Sequence, residues 1–289
     1  MQAGDISFPN LNIYLHDVPK SFTVFGFSIA LYGVVIAIGM MLGVAIAVHD
    51  RKSRGLSDEP IWDLALIGIP SGIVGARIYY VIFAWPFYKD NLIEIINLRH
   101  GGLAIYGGVI GAFIAILIYS KVKKENFFEL WDSVALGFLI GQAVGRWGNF
   151  FNREVFGGYT DNVFAMRLPI EAVRARDITP ALEATIQAGE NFIQVHPTFL
   201  YESMWNLALF VLLYSYRKHK KFSGEIFCLY LAGYGIGRFW IEAIRTDQLY
   251  VTGTTIPVSM VLAGIMTVAS LSICVVQRLK KRENIEKQE

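Results

Sequence analysis

With 289 residues, 54% of them hydrophobic and only 17% charged, the chain has the composition of a polytopic membrane protein rather than of a soluble two-domain enzyme. Its net charge of +2 is too small to point to nucleic acid, and its basic residues cluster in short segments between apolar runs. Both cysteines, Cys228 and Cys274, lie inside apolar runs, which leaves no disulfide framework and no C-x-x-C metal motif.

Residues 1–21 have no basic region leading into an apolar core, so no cleavable signal peptide is expected. Seven apolar stretches follow, near 24–48, 61–84, 101–120, 131–151, 197–216, 224–244 and 257–277. Each is long enough to cross a hydrocarbon core of about 30 Å at a rise of about 1.5 Å per residue. The expected fold class is therefore all-α: a bundle of seven transmembrane helices forming a single membrane-embedded domain, 1–289. Loops 49–60, 121–130 and 217–223 and the tail 278–289 carry 15 Lys and Arg, against 4 in 1–23, 85–100 and 245–256. That asymmetry places the N-terminus outside and the C-terminus in the cytoplasm. The outer loop region 152–196, between spans 4 and 5, mixes charges with Gly, Pro and Tyr and is expected to hold short strands or helices over the bundle. The tail KKRENIEKQE reads as a solvated charge run.

Spans 2, 4 and 6 echo one another. Each opens with an acid near the inner surface (Asp63, Asp132, Glu225) and then carries a small-x-x-x-small-Arg element: Gly72…Ala76-Arg77, Gly141…Gly145-Arg146 and Gly233…Gly237-Arg238. The acid favours the helix N-terminus, and small residues four apart let helices approach closely. The acid-to-arginine spacing of 13 or 14 residues corresponds to roughly 20 Å, which sets all three guanidiniums in the outer half of the bilayer. A charge at that depth needs a partner, a ligand or water. The expectation is that Arg77, Arg146 and Arg238 line one cavity open toward the outer leaflet.

Around them the sequence places other polar groups. Span 4 carries Gln142, Arg146 and Asn149 on one face, then Asn152, Arg153 and Glu154 at its outer end. Span 6 aligns Tyr234, Arg238, Glu242 and Arg245, where Glu242 is spaced to neutralise Arg238 one turn away. At the start of span 3, Gly101 and Gly102 leave helix N–H groups available to an anion beside His100. On its own, such a histidine is more often an interfacial group bonded to a carbonyl or headgroup than a catalyst. Tyr32 lies in the outer half of span 1, and His196-Pro197 opens span 5 with Tyr201 and Glu202 one turn inside. This inventory suits a phosphate-bearing lipid headgroup. No H-e-x-x-h type metal spacing and no G-x-S-x-G elbow occurs, so neither metal nor cofactor is expected, and any thiol chemistry must use a substrate thiol. A transporter or channel would need charges reaching both sides. A seven-helix receptor has no reason for three arginines at one depth.

Four ordered segments resemble one family. GRWGNFFNREVFGG, 145–158, closely resembles the signature of bacterial prolipoprotein diacylglyceryl transferases. HGGLAIYGG (100–108), HPTFLYE (196–202) and YGIGRFWIEAIRTD (234–247) are similar to further motifs of that family, and GARIYYVIF (75–83) and the segment around Tyr32 also fit. The resemblance implies transfer of the diacylglyceryl group of phosphatidylglycerol to the lipobox cysteine of a prolipoprotein signal peptide, with release of glycerol phosphate. It implies a multi-pass protein of the bacterial cytoplasmic membrane, with membrane lipid and signal peptide as partners and no nucleic acid. Carried onto this sequence, the family's important positions are Tyr32, His100, Arg146, Asn149, Glu154, Tyr234, Arg238 and Glu242. His100, Arg146, Arg238 and Tyr32 are expected to be catalytic. Arg146, Asn149, Glu154, Arg238, Tyr234, Glu242, Arg77, Gly101 and Gly102 are expected to bind phosphatidylglycerol. Another phospholipid-headgroup transferase would use the same cavity and is the alternative.

Overall fold

The computed structural model describes residues 1–98 and 101–286. Among them are seven long helices: α1 (Leu31–Ser53), α2 (Glu59–Phe83), α3 (Ile105–Lys123), α4 (Phe127–Asn152), α5 (Thr198–Tyr216), α6 (Glu225–Ile244) and α7 (Val258–Glu286). Five of these, α1 to α4 and α7, are long and apolar enough to cross a membrane by length and composition. The other two, of 19 and 20 residues, carry the acids and arginines described below. The protein is thus a mostly helical, polytopic membrane protein.

The chain divides into two compact units, one made of Met1–Gly43 with Ala135–Glu289 and the other of Val44–Val134. In the larger unit, α1 and α4 approach backbone to backbone. A Cβ on Gly137 would stand 2.4 Å from the carbonyl oxygen of Gly43, so only glycine permits this contact.

The region 152–196 contributes β5 (Met166–Pro169) and β6 (Phe192–Val195). They join β1 (Ile6–Phe8) and β2 (Ile13–Leu15), from the N-terminal segment, in an antiparallel sheet of order β2-β1-β5-β6. Ser7 pairs with Arg167 and Arg167 with Gln194 across it. Ile6, Phe156, Leu168, Leu182, Ile193 and Phe199 fill its core. Fully burying a residue such as Phe156 is worth roughly 1.5–3 kcal/mol, enough to fix the signature segment on this sheet. Arg153 clamps the same junction. It is 3% exposed and donates to the carbonyls of Gly4 (2.8 Å), Val18 (2.5 Å) and Phe151 (3.1 Å).

The expected first span, 24–48, needs correcting at its start. Residues 21–30 form a hairpin, β3 (Ser21–Val24) with β4 (Phe27–Ala30), and the helix begins only at Leu31. The physical cause is the period-2 alternation of SFTV and FSIA about a two-residue Phe25-Gly26 turn, both residues at positive φ (48° and 81°). Apolar content alone does not distinguish such a hairpin from the first turns of a span.

In the smaller unit, α2 and α3 lie equally close, since a Cβ on Gly75 would meet the Gly107 carbonyl oxygen at 2.4 Å. Asp63 accepts a hydrogen bond from Tyr119 at 2.8 Å across this pair. Asp50, 1% exposed, takes Arg54 at 2.6 Å and Ser133 at 2.8 Å, tying the end of α1 to the start of α4.

Candidate active site

Arginine, glutamate and arginine from three helices of the larger unit meet at one carboxylate. Glu202, on α5, is 3% exposed. Its Oε2 pairs with Arg146 of α4 at 2.6 Å and its Oε1 with Arg238 of α6 at 3.4 Å. Arg238 also pairs with Glu242 one turn along its own helix, at 2.6 Å. The chain of charges continues through Arg245, 3.8 Å from Glu242, to Asp247, which Arg245 grips with two hydrogen bonds of 2.9 and 2.8 Å. Alternating signs let each buried charge keep a partner, as a low-dielectric interior requires. Burial works against the charge on Asp247, outside the helices, but the Arg245 hydrogen bonds outweigh it and hold the carboxyl below the usual carboxylate range.

The side chains of Arg146 and Arg238 are 22% and 18% exposed, whereas that of Glu202 is 4% exposed. The two guanidiniums are therefore reachable and the carboxylate behind them is not. Below them Gln142 donates to the Tyr230 hydroxyl at 3.0 Å, and the Tyr234 ring lies 6.0 Å from that of Tyr230. Tyr32 packs on α4 at Gly148.

At the C-terminal end of α4 the backbone turns through Arg153 and Val155, both in the left-handed region (φ 55° and 59°). Glu154, between them, accepts from Asn149 at 3.2 Å and Asn152 at 3.1 Å, with Arg174 3.5 Å away. The following glycines lock the turn between two helix ends. Gly157 donates to the His196 carbonyl at 3.0 Å and Gly158 to the Ile244 carbonyl at 2.9 Å. A Cβ on Gly157 would stand 2.7 Å from the Ile244 oxygen, which explains the need for glycine there. Burial pushes the His196 imidazole below its ordinary pKa range.

The model for the prolipoprotein diacylglyceryl transferase family matches residues 19–276. The chain belongs to that family. It is 42% identical over 268 residues to the phosphatidylglycerol–prolipoprotein diacylglyceryl transferase of Clostridium botulinum (strain Loch Maree / Type A3), covering 92% of this chain and 98% of that protein. It is 42% identical over 229 residues to the protein of the same name from Clostridioides difficile (strain 630), 79% of this chain and 84% of the relative. The Staphylococcus aureus (strain Newman) transferase matches at 40% over 262 residues, 91% and 90% of the two chains.

Set on this family member, the expected site residues divide into groups. Arg146, Arg238 and Glu242 fall in one ionic chain, and Asn149 and Glu154 bond each other beside it. Tyr32 and Tyr234 lie in the same unit. His100 lies outside the described residues. Arg77 is placed differently from expectation. It is 6% exposed, belongs to the smaller unit, and gives all five N–H bonds to carbonyls, those of Glu94, Ile95, Asn97, Gly101 and Gly102, at 2.5–3.1 Å. With its donors spent on the loop, it has none for a headgroup phosphate, and the expectation that it binds one is corrected to a loop clamp. Gly101 and Gly102 are likewise not the first turn of a helix. They lie in the loop at φ 78° and 82°, the Gly101 N–H goes to Leu98, and α3 starts at Ile105. Their expected role as a helix N-terminus for an anion is corrected accordingly.

Sequence reasoning gave Glu202 no role. The available signal was an acid inside the otherwise apolar TFLYESMWNLALF run, where a charge is costly unless partnered. Arg245 follows from its place on the same face as Glu242, whereas the contact of Arg174 with Glu154 depends on the outer loop folding back and had no local signal.

Proposed function

We propose that this chain transfers the diacylglyceryl group of phosphatidylglycerol to the thiol of a lipobox cysteine in a prolipoprotein, forming a thioether and releasing glycerol phosphate. The observation that carries the reading is the convergence of two accessible guanidiniums, Arg146 and Arg238, at one point of a family member's outer motifs. The relatives' shared name states the same donor and acceptor.

In this reading the sulfur attacks the diacylglyceryl carbon bonded to the phosphate oxygen. The C–S bond forms, the C–O bond breaks, and its electron pair stays on the departing glycerol phosphate. Arg146 and Arg238 hold the phosphate and stabilise the charge that gathers on it, an effect strengthened where water is excluded. The thiolate is the nucleophile, and a free cysteine with a pKa of about 8.5 is mostly protonated at neutral pH. His100 takes the thiol proton as general base. Arg77 holds the carbonyls of Glu94, Ile95, Asn97, Gly101 and Gly102 in place. Asn149 and Glu154 orient the headgroup glycerol, Tyr234 and Glu242 support Arg238, and Tyr32 borders the reacting groups. Holding lipid and peptide together adds a proximity term.

The same proposal includes all seven helices as spans of a single catalytic domain in the bacterial cytoplasmic membrane, N-terminus outside and C-terminus inside. Helices α5 and α6, at 19 and 20 residues, reach about 30 Å, which supports their inclusion. The basic-residue asymmetry supports the orientation.

The test supplies phosphatidylglycerol and a lipobox cysteine peptide to the purified protein. A diacylglyceryl mass increment on the peptide together with released glycerol phosphate is the expected result. Released headgroup without a modified peptide would instead favour a different phospholipid-headgroup transferase.

A further inference from the structure

We propose that Glu202 is a positioning residue, a buried carboxylate that sets Arg146 and Arg238 on either side of one anion site. The inference rests on the reading that these arginines hold the phosphate of the lipid. It adds a residue that does not itself touch the lipid.

A carboxylate in an apolar helix is costly and persists only where it is partnered. Glu202 gives one oxygen to each of two neighbouring helices, Oε2 to Arg146 on α4 and Oε1 to Arg238 on α6. Its place between them is set by neutral bonds from the residues around it. Ser203 donates to the Ala143 carbonyl of α4 at 2.8 Å, and Trp205 donates to the Gly233 carbonyl of α6 at 2.9 Å. The backbone of α5 is therefore fixed against both helices by contacts that do not involve the ion pairs.

Charge neutralisation alone does not account for the arrangement. Arg238 already has Glu242 at 2.6 Å on its own helix, nearer than Glu202 at 3.4 Å. What Glu202 adds is direction, because it draws Arg238 toward the same point as Arg146. Two guanidiniums left to themselves repel and would swing to separate partners. With a carboxylate between them they stay together, and their exposed edges face one oxyanion. The lipid phosphate then meets a preset pair and does not have to assemble it.

The experiment compares the wild-type protein with Glu202→Gln and Glu202→Asp in phosphatidylglycerol nanodiscs diluted with a zwitterionic lipid. Turnover is measured against each substrate, and the thermal shift produced by phosphatidylglycerol is measured without peptide. Glu202→Gln keeps size and loses charge. It is expected to raise KM for phosphatidylglycerol about tenfold or more and to shrink the lipid-dependent thermal shift, with KM for the peptide changed less than about twofold. Glu202→Asp keeps the charge on a shorter arm and is expected to fall between the two. A structural role alone would lower thermal stability and yield without separating the two KM values. The inference is overturned if Glu202→Gln keeps the wild-type KM for the lipid, if both KM values move together, or if Asp rescues nothing. Should Glu202→Gln fail to fold, the split in Glu202→Asp decides by the same criterion. Wild-type protein that transfers nothing to the peptide would defeat the proposed function, while the lipid-dependent thermal shift in the variants still tests Glu202.

Discussion

The ring of Tyr32 occupies the space that a side chain at position 148 would need. A Cβ on Gly148 would stand 2.7 Å from Tyr32 Cδ2 and 3.1 Å from Cε2. The glycine next to Asn149 thus lets α1 deliver a tyrosine against the helix that carries Arg146. Gly148→Ala is expected to displace the ring and cost about 1–3 kcal/mol of stability, the usual range for overpacking. Thermal denaturation alongside turnover measures both effects. Wild-type values for each would mean that this contact holds nothing in place.

Arg77 predicts a different kind of defect. Its five bonds hold the carbonyls of Glu94, Ile95, Asn97, Gly101 and Gly102, and a lysine keeps the charge but offers three donors without the planar fork. Arg77→Ala should destabilise by roughly 3 kcal/mol or more, since it strands several carbonyls. Limited proteolysis should cut the loop faster in both variants. If lysine restored full protection and turnover, charge rather than the fork would be what the loop requires.

Arg238→Ala removes one of the two accessible cations but leaves Glu202 paired with Arg146 and Arg245 near Glu242. The variant should insert and accumulate normally while turnover falls by about 100-fold or more, the scale seen when one stabilising donor is removed. Expression in membranes and product release are the paired measurements. Normal turnover would end its phosphate role.

For His100 the diagnostic is the pH profile. An ordinary imidazole titrates near pH ~6.5, so a histidine base should make wild-type turnover decline on the acid side of neutrality. His100→Gln should lose most activity, and what remains should lack that acid limb. A variant with near wild-type rate removes His100 as the base.

His196 carries a pH dependence of stability that is separate from catalysis. Burial lowers its pKa in the folded protein, and its Nδ1 lies 3.2 Å from the Tyr201 hydroxyl. The unfolded chain then binds the proton more readily. Stability from neutral His196 is fully present above the unfolded value, about pH 6.5, and is lost as pH falls through the lower folded value. The thermal midpoint should drop between pH 7 and pH 5, with a shallower drop in His196→Gln. Parallel curves for the two proteins would assign the acid sensitivity elsewhere.

Much of the site could be read along the chain because membrane depth makes charge expensive. Arg146, Arg238 and Glu242 each stood out as polar groups inside apolar runs, and helical spacing alone paired the last two. Arg77 stands out for the same reason, yet its donors go to the protein's own carbonyls. Depth says that a guanidinium needs partners, but it does not say whether they are a ligand's oxygens or the protein's own carbonyls. Residues 24–30 of the hairpin fall inside the expected span 24–48 because Val24, Phe27 and Ile29 look like span in a window average.

By itself the sequence determined the membrane class, most helix positions, the family motifs and the residues whose charge demanded explanation. These follow from local composition, from helical period and from the cost of burying charge. Only the tertiary structure decided the partners that come from other parts of the chain. Residues 4, 18 and 153 meet at one clamp, and residues 146, 202 and 238 meet at one carboxylate, through helix contacts that no local pattern encodes. An ion pair depends on separation in space, and that separation is fixed by how glycine-lined helices pack.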